Sequence, residues 1–155
     1  MKQGSTKEIT FTCKHFQDLS LQELYQCMHL RQAVFVVEQD CPYIDADNKD
    51  QDGWHLMGWL EGQLVAYARL LPADVSFAGY SSIGRVVTDA KVRKWGFGRQ
   101  LMQVANARIL EKFPNHPVKI SAQSYLIRFY ESLGYEKTGT EYLEDGIPHI
   151  AMILK

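Results

Sequence analysis

The strongest constraint on this chain lies just past its middle. "SSIGRVVT" (81–88) has the β-branched, apolar character of a strand. Soon after it, "GFGRQLMQVANA" opens with two glycines and carries Phe97, Leu101, Val104 and Ala105 at helical spacing. "VKISA" (118–122) reads as a strand again. A strand, a helix and a second strand in succession favour local parallel pairing, because parallel neighbours need a long crossover.

The remaining elements fit around that unit. Glu8 to Phe11 suits a first strand. Leu21, Leu24, Tyr25 and Met28 share one helical face behind Ser20, a suitable N-cap, and the helix is free to run on into "RQAVFVVEQD". Asp40 to Asp52 reads as a polar, acid-rich loop. "GWHLMGWLEGQLVAYARLL" gives two strands joined at Glu61-Gly62-Gln63. Asp89 to Arg93 reads as a loop. Leu126, Phe129, Tyr130 and Leu133 form another helical face, stopped by Gly134. Closing strands follow around Tyr135–Tyr142 and Ile147–Leu154, parted by Glu144-Asp145-Gly146. The order β-α-β-β-β-α-β-α-β-β predicts a mixed α/β (α+β) fold. A length of 155 residues predicts one domain over 1–155.

Composition narrows the function. With 17 Lys+Arg against 18 Asp+Glu, the chain lacks the charge excess of a protein that coats nucleic acid or an anionic membrane. "MKQGSTKEITF" holds no apolar core of signal-peptide length, and the longest strongly apolar run, Ala33 to Val37, cannot span a bilayer. Cys13, Cys27 and Cys41 are odd in number and show no C-x-x-C spacing. They read as reduced thiols in a cytoplasmic protein, not as a disulfide framework or a zinc site. The expectation is a protein without metal, nucleic-acid or membrane partners.

The glycine pair raises a chemical question. In "VRKWGFGRQL" (92–101), Gly96 and Gly98 are flanked by Arg93, Lys94 and Arg99 at the mouth of a helix. Glycine admits close approach to the backbone, and a helix start offers unpaired N–H groups with a partial positive charge, so an anion fits there. No G-x-x-x-x-G-K-[ST] loop is present, and the third position of a G-x-G-x-x-G fingerprint would fall on Leu101. What remains is R-x-x-G-x-G, which on its own also serves as a turn that merely caps a helix.

The wider pattern resembles a known family. "IGRVVTDAKVRKWGFGRQLM" looks like the acetyl-coenzyme A signature of the GNAT superfamily of N-acetyltransferases, whose R/Q-x-x-G-x-G/A loop wraps the pyrophosphate with backbone N–H groups. "AQSYLIRFYESLGY" resembles that family's later helix, with a tyrosine before Glu-x-x-Gly-aromatic. "LRQAVFVVEQDCPY", the acidic loop, "LVAYARLL" and "DGIPHIAM" look like its ElaA-like branch. The resemblance implies a central mixed, largely antiparallel sheet splayed at the fourth strand and flanked by helices. It also implies transfer of acetyl from acetyl-coenzyme A to a primary amine of a small molecule or peptide, by direct attack through a tetrahedral intermediate. A coenzyme A-binding sensor or interaction module that has lost turnover is the alternative from another class. Pairing of two copies through an edge strand is compatible with either.

The same resemblance assigns residues. Backbone from Trp95 to Gln100, including Gly96, Phe97 and Gly98, would hold the pyrophosphate, with Arg93, Lys94 and Arg99 as countercharges. The pantetheine arm would run along Val86, Val87 and Thr88, and an N–H near Val86 would steady the oxyanion. Gln123 stands where many members carry Asn to contact that arm. Tyr130 corresponds to the general acid for the leaving thiolate, though its helical neighbours also suit a core tyrosine. For the base the residues leave alternatives: Glu38, whose pKa would rise if it were partly buried, His55, His149, or a water relay. Each also suits a hydrogen-bonded structural role. With Glu38, the loop "DCPYIDADNKDQDGWH" sets six acids against one lysine. A calcium loop would need Glu where Trp59 stands, so the loop reads either as a solvated segment or as a lip attracting a cationic amine. Arg31 and Arg85 are the residues that would clamp an acceptor's carboxylate, or else pair with those acids.

Overall fold

The computed structural model describes residues 8–155. Residues 1–7, which enter the signal-peptide reading, lie outside the described residues. The elements are β1 (Thr10–His15), α1 (Leu21–Arg31), β2 (Trp54–Leu60), β3 (Gln63–Leu71), β4 (Ser81–Thr88), α2 (Phe97–Lys112), β5 (Val118–Gln123), α3 (Ile127–Glu131), β6 (Tyr135–Glu144) and β7 (Ile147–Leu154). The strands form one seven-stranded sheet in the order β1-β2-β3-β4-β5-β7-β6. All neighbours are antiparallel except β4 and β5. The mixed α/β fold with a largely antiparallel sheet is therefore the one expected.

Local chemistry explains the elements. Ser20 and Glu23 form a reciprocal capping box at the start of α1, each side chain bonding the other's backbone N–H. The helix runs on as π-helical turns over Gln32–Glu38, so the apolar "AVFVV" extends α1 over the sheet. β2 and β3 are almost wholly buried because the sheet is covered on both faces. Ala66, Ala68 and Leu70 pack with Leu101, Met102, Ala105 and Ile109 of α2. Met57 and Tyr67 pack on the opposite side with Cys27, Leu30 and Val34. Period-two alternation sends successive side chains to the two covers.

Three boundaries differ from expectation. The first strand lies at Thr10–His15, later than Glu8–Phe11, where it pairs with β2 from Trp59 to Trp54. The segment after β4 is a 3₁₀ turn over Ala90–Trp95, started by the Asp89 carboxylate accepting from the Lys91 N–H. The last helix has a short α segment preceded by a 3₁₀ turn over Ser124–Leu126. Among the described residues no helix is long and apolar enough to cross a membrane.

The parallel pair positions everything that follows. β4 and β5 are in register only at Ser81–Val118 and Ser82–Lys119. Beyond those residues β5 keeps its full pairing with β7, Lys119 to Gln123 against Ile153 to His149. β4 stays with β3 but holds an extra residue: Tyr67 and Arg69 pair with Val87 and Gly84. Within that bulge Arg85 adopts φ 52°, a left-handed conformation that costs a non-glycine residue on the order of 1 kcal/mol or more. The bulge bends β4 away and the two strands part.

Candidate active site

The parting strands open a cavity of about 520 Å³, a size suited to a small-molecule site. One wall is β4 from Ile83 to Thr88, and the other is β5 with Ile120, Ser121 and Gln123. The π-helical segment contributes Val34, Phe35 and Glu38, and the last helix contributes Phe129 and Tyr130. Gly98 and Arg93 stand at the cavity too, so the glycine loop, the fourth strand and the later helix meet as their sequence signatures implied.

Gly96 holds φ 75° and N-caps α2 with no side chain bonding the helix start. A Cβ on Gly96 would meet nothing within 4 Å, and one on Gly98 only the Phe129 ring at 4.0 Å. The helix mouth is thus open, with unpaired N–H groups at its first turn. Phe97 supplies backbone alone, because its side chain is buried in a small core with Leu60, Val65 and Val92. Lys94 lies over the Trp95 ring. Arg99 lies over Phe129 and donates to Ser132 Oγ at 2.7 Å, while Gln100 is exposed.

Tyr130 is 7% exposed, with Phe129 and Tyr135 edge-on to its ring. Burial pushes its phenol up to about 12. The hydroxyl stays protonated at neutral pH and can act only as an O–H donor toward developing negative charge.

The base candidates separate. A raised pKa at Glu38 required partial burial, and Glu38 is exposed. Arg93 hydrogen-bonds both of its oxygens, Nη1 to Oε2 and Nη2 to Oε1 at 2.8 Å, on a half-exposed rim. Those bonds hold the carboxyl below its usual range and make it a weaker base. Arg93 also donates to the Thr88 carbonyl. The expected phosphate countercharge is therefore engaged across the cleft mouth.

His55 lies away from the cavity. Its ring is buried, with Nε2 2.9 Å from the Asp50 carbonyl and Nδ1 2.5 Å from the Tyr67 hydroxyl. A carbonyl only accepts, so Nε2 carries the proton and Nδ1 accepts from Tyr67. Burial lowers its pKa and keeps the ring neutral. His149 does face the cavity, on β7 opposite Gln123 of β5 and Tyr142 of β6.

Arg31 and Arg85 are engaged by the acids, the second of their two readings. Arg31, 1% exposed, meets Asp45 Oδ2 at 2.8 Å and Asp50 Oδ1 at 2.9 Å. Arg85 touches the cavity, but its guanidinium is held by Asp45 Oδ1 at 2.8 Å and Asp47 Oδ2 at 3.3 Å. Arg69, unremarkable in the sequence, completes the network through Asp47 and Asp50, each at 2.8 Å. The acid-rich loop lends Cys41 and Tyr43 to the cavity wall, but three of its acids do not face an incoming cation. Asp45, Asp47 and Asp50 turn inward onto three guanidiniums, which pins the loop to β3 and to the bulge of β4.

Sequence reasoning passed over a second polar group in the cavity. Ser121 and Glu144 join His149 in lining the cavity, and Tyr142 contacts both Ser121 and His149. The Ser121 hydroxyl donates to Glu144 Oε1 at 3.1 Å and is hydrogen-bonded to the Tyr142 hydroxyl. Strand alternation carried this signal, since Tyr142 and Glu144, like Ser121 and Gln123, are two apart and share a face.

Known proteins share this fold. Residues 17–155 match the family model described as an acetyltransferase (GNAT) domain. Protein ElaA of Escherichia coli (strain K12) is 43% identical over 140 residues, 89% of this chain and 91% of that protein. The crystal structure of Escherichia coli ElaA superposes with a TM-score of 0.89 at 40% identity, covering 96% of this chain and 100% of that one. An acyl-CoA N-acyltransferase from Pseudomonas aeruginosa superposes with the same TM-score at 45% identity, again over 96% and 100%. The chain belongs to the GNAT acetyltransferase family, among its ElaA-like members.

Proposed function

We propose that this acyltransferase moves an acetyl group from acetyl-coenzyme A to the nitrogen of a primary amine, on a small molecule or a peptide. The observation that carries the reading is the cleft between β4 and β5, which has an uncapped, glycine-lined helix mouth at one end and the buried phenol of Tyr130 on its wall. Such a mouth suits a pyrophosphate, held by N–H groups between Trp95 and Gln100 with Lys94 nearby. The edge of β4 at Val86, Val87 and Thr88 suits an extended amide-bearing arm, and an N–H near Val86 suits an oxyanion. Gln123 stands across the cleft for the same arm. Free thiols at Cys13, Cys27 and Cys41 fit a reducing compartment such as the cytoplasm.

Proton bookkeeping defines the role of Tyr130. A free thiol has a pKa of about 8.5, so full transfer from a phenol near 12 to the thiolate is uphill. Tyr130 acts by donating a hydrogen bond to the sulfur as its charge develops, and the proton that ends on sulfur is made good by the one the nitrogen loses on collapse. The acceptor is better described as a cation than as an amino acid, because Arg85 at the cavity is already held by Asp45 and Asp47.

Thiol release from acetyl-coenzyme A, with and without a panel of primary amines, tests the reading; no amine-stimulated release would overturn it. Tyr130→Phe is expected to lower kcat about 10- to 100-fold, the worth of a hydrogen bond to a charged group, with affinity for acetyl-coenzyme A retained. Gly98→Asp separates binding from folding. The new side chain fits without a clash and suits a helix start, yet it sets a carboxylate where the phosphates would lie. Titration should show binding lost with the melting temperature kept.

A further inference from the structure

The polar group on β5, β6 and β7 has a geometry that a purely structural role does not require. His149 Nδ1 lies 2.7 Å from the Ile147 carbonyl. A carbonyl only accepts, so Nδ1 carries the proton, and the Nε2 of the neutral ring is left with a lone pair. That lone pair faces Glu144 Oε2 at 3.8 Å. The carboxylate also offers only lone pairs, and its other oxygen is already held by Ser121. The imidazole cannot turn freely, because its side chain is 8% exposed and stacks on Tyr142 at 6.2 Å between ring centres. With the ring neutral, two acceptors thus stand 3.8 Å apart at the cavity wall, too wide for a direct bond and narrow enough for one donor to reach both.

We infer that this gap is the seat of the acceptor's ammonium group: Glu144 holds its charge, and Nε2 of His149 takes the proton it must lose before attack. The inference rests on the amine reading above and adds the residues that recognise the nitrogen. A primary ammonium has three N–H bonds and a positive charge, so it satisfies both acceptors and still keeps a third N–H. A water molecule can donate twice but leaves the carboxylate's charge unmet. The proton balance closes. The alkyl ammonium, with a pKa of about 10, passes one proton to Nε2 and so to solvent. The freed lone pair forms the N–C bond as the C–S bond breaks. The second proton, lost from nitrogen as the intermediate collapses, balances the one taken up by sulfur. Ser121 and Tyr142 are positioning residues that fix the carboxylate. Glu144 and Tyr142 on β6 are the titratable groups that meet His149, β5 presents the uncharged Ser121 and Gln123, and Glu38, Arg85, Arg93 and Asp145 line the same cavity.

The test compares wild type, Glu144→Gln and His149→Asn in thiol release with propylamine, phenethylamine, spermidine and 2,2,2-trifluoroethylamine. The last is a primary amine largely unprotonated at neutral pH. Glu144→Gln is expected to raise KM for the protonated amines at least tenfold, with KM for acetyl-coenzyme A within twofold. His149→Asn is expected to lower kcat/KM for the protonated amines about 100-fold, the usual worth of a proton acceptor. That deficit should shrink at least tenfold with trifluoroethylamine, which has no proton to shed before attack. A structural ion pair between Glu144 and an imidazolium would instead give equal losses with every amine and would overturn the inference, as would losses below twofold. Glu144 stands on the exposed rim, so its variant reports even if the buried His149 variant folds poorly. Absence of release by wild type with every amine would sink the amine reading itself, a different result from release that the variants leave unchanged.

Discussion

Arginine meets carboxylate in two places in this molecule, and the two behave oppositely. Beneath the 40–52 loop, Arg31, Arg69 and Arg85 face Asp45, Asp47 and Asp50, with Arg31 and Asp45 side chains only 1% and 3% exposed. At the cleft mouth, Arg93 and Glu38 make a two-pronged pair with side chains 40% and 41% exposed. The chemistry is the same, but the surroundings decide what it means. Buried charges cannot be left alone, since removing one partner strands the other in a low-dielectric interior. Rim charges retain water as an alternative partner, so the pair is weak and exchangeable. The first set fixes the shape of the cleft by holding the bulge of β4. The second can open when a stronger anion arrives.

The largest expected effect follows from the buried set. Arg31→Met leaves Asp45 and Asp50 short of a guanidinium and should cost about 3–5 kcal/mol of unfolding free energy, read from denaturant midpoints at constant slope. A loss below about 1 kcal/mol would put the two sets in the same class and dissolve the contrast between them.

Acid should sharpen the contrast. Burial holds His55 below its ordinary value, so the unfolded chain takes up that proton first and stability begins to fall as pH drops below about 6.5. For Asp47 and Asp50, burial works against ionisation, but the hydrogen bonds and charges of Arg69, Arg31 and Arg85 prevail and lower both pKa values. Their contribution is present above the unfolded value of about 3.9 and is lost as pH falls through their folded values. Unfolding midpoints measured from pH 7 to pH 3 should therefore decline continuously. In Arg31→Met the lower limb should flatten, because Asp50 loses one of the cations that depress it. Glu38→Gln should leave the curve nearly unchanged.

The two regions also differ in how far the sequence revealed them. The glycine loop and the fourth strand were legible because each depends on local features: strand period, a helix start, a glycine at position 96 where φ is positive; Tyr130 was legible only through the family pattern around it. The ion network was half legible. Its acids were counted, and Arg31 and Arg85 were paired with them as one of two readings, but Arg69 lies inside an apolar strand and gave no local sign. The surroundings of Glu38 were hidden for the same reason. Following "VFVV" suggests burial, yet π-helical turns leave it on the rim, where a residue 55 positions later meets it. Alternation could pair Ser121 with Gln123 and Tyr142 with Glu144, but bringing the two pairs together needed the register of three strands, which only the folded sheet supplies.

The smallest expected effect is the most informative about the cleft mouth. Glu38→Gln removes a charge that Arg93 now faces, and the exposed pair should contribute less than about 1 kcal/mol to stability. If Arg93 serves the phosphates, freeing it should tighten acetyl-coenzyme A about two- to fivefold, the same fraction of a kcal/mol expressed as affinity. The gain should fade in high salt, since the competing attraction it removes is itself screened at an exposed site. Weaker binding in Glu38→Gln would mean the reverse: the carboxylate holds Arg93 in place for the anion, and the rim pair, although exposed, is part of the site's preorganised frame. Titration of both proteins at low and high salt distinguishes the two, because a positioning role survives screening better than a competing charge does.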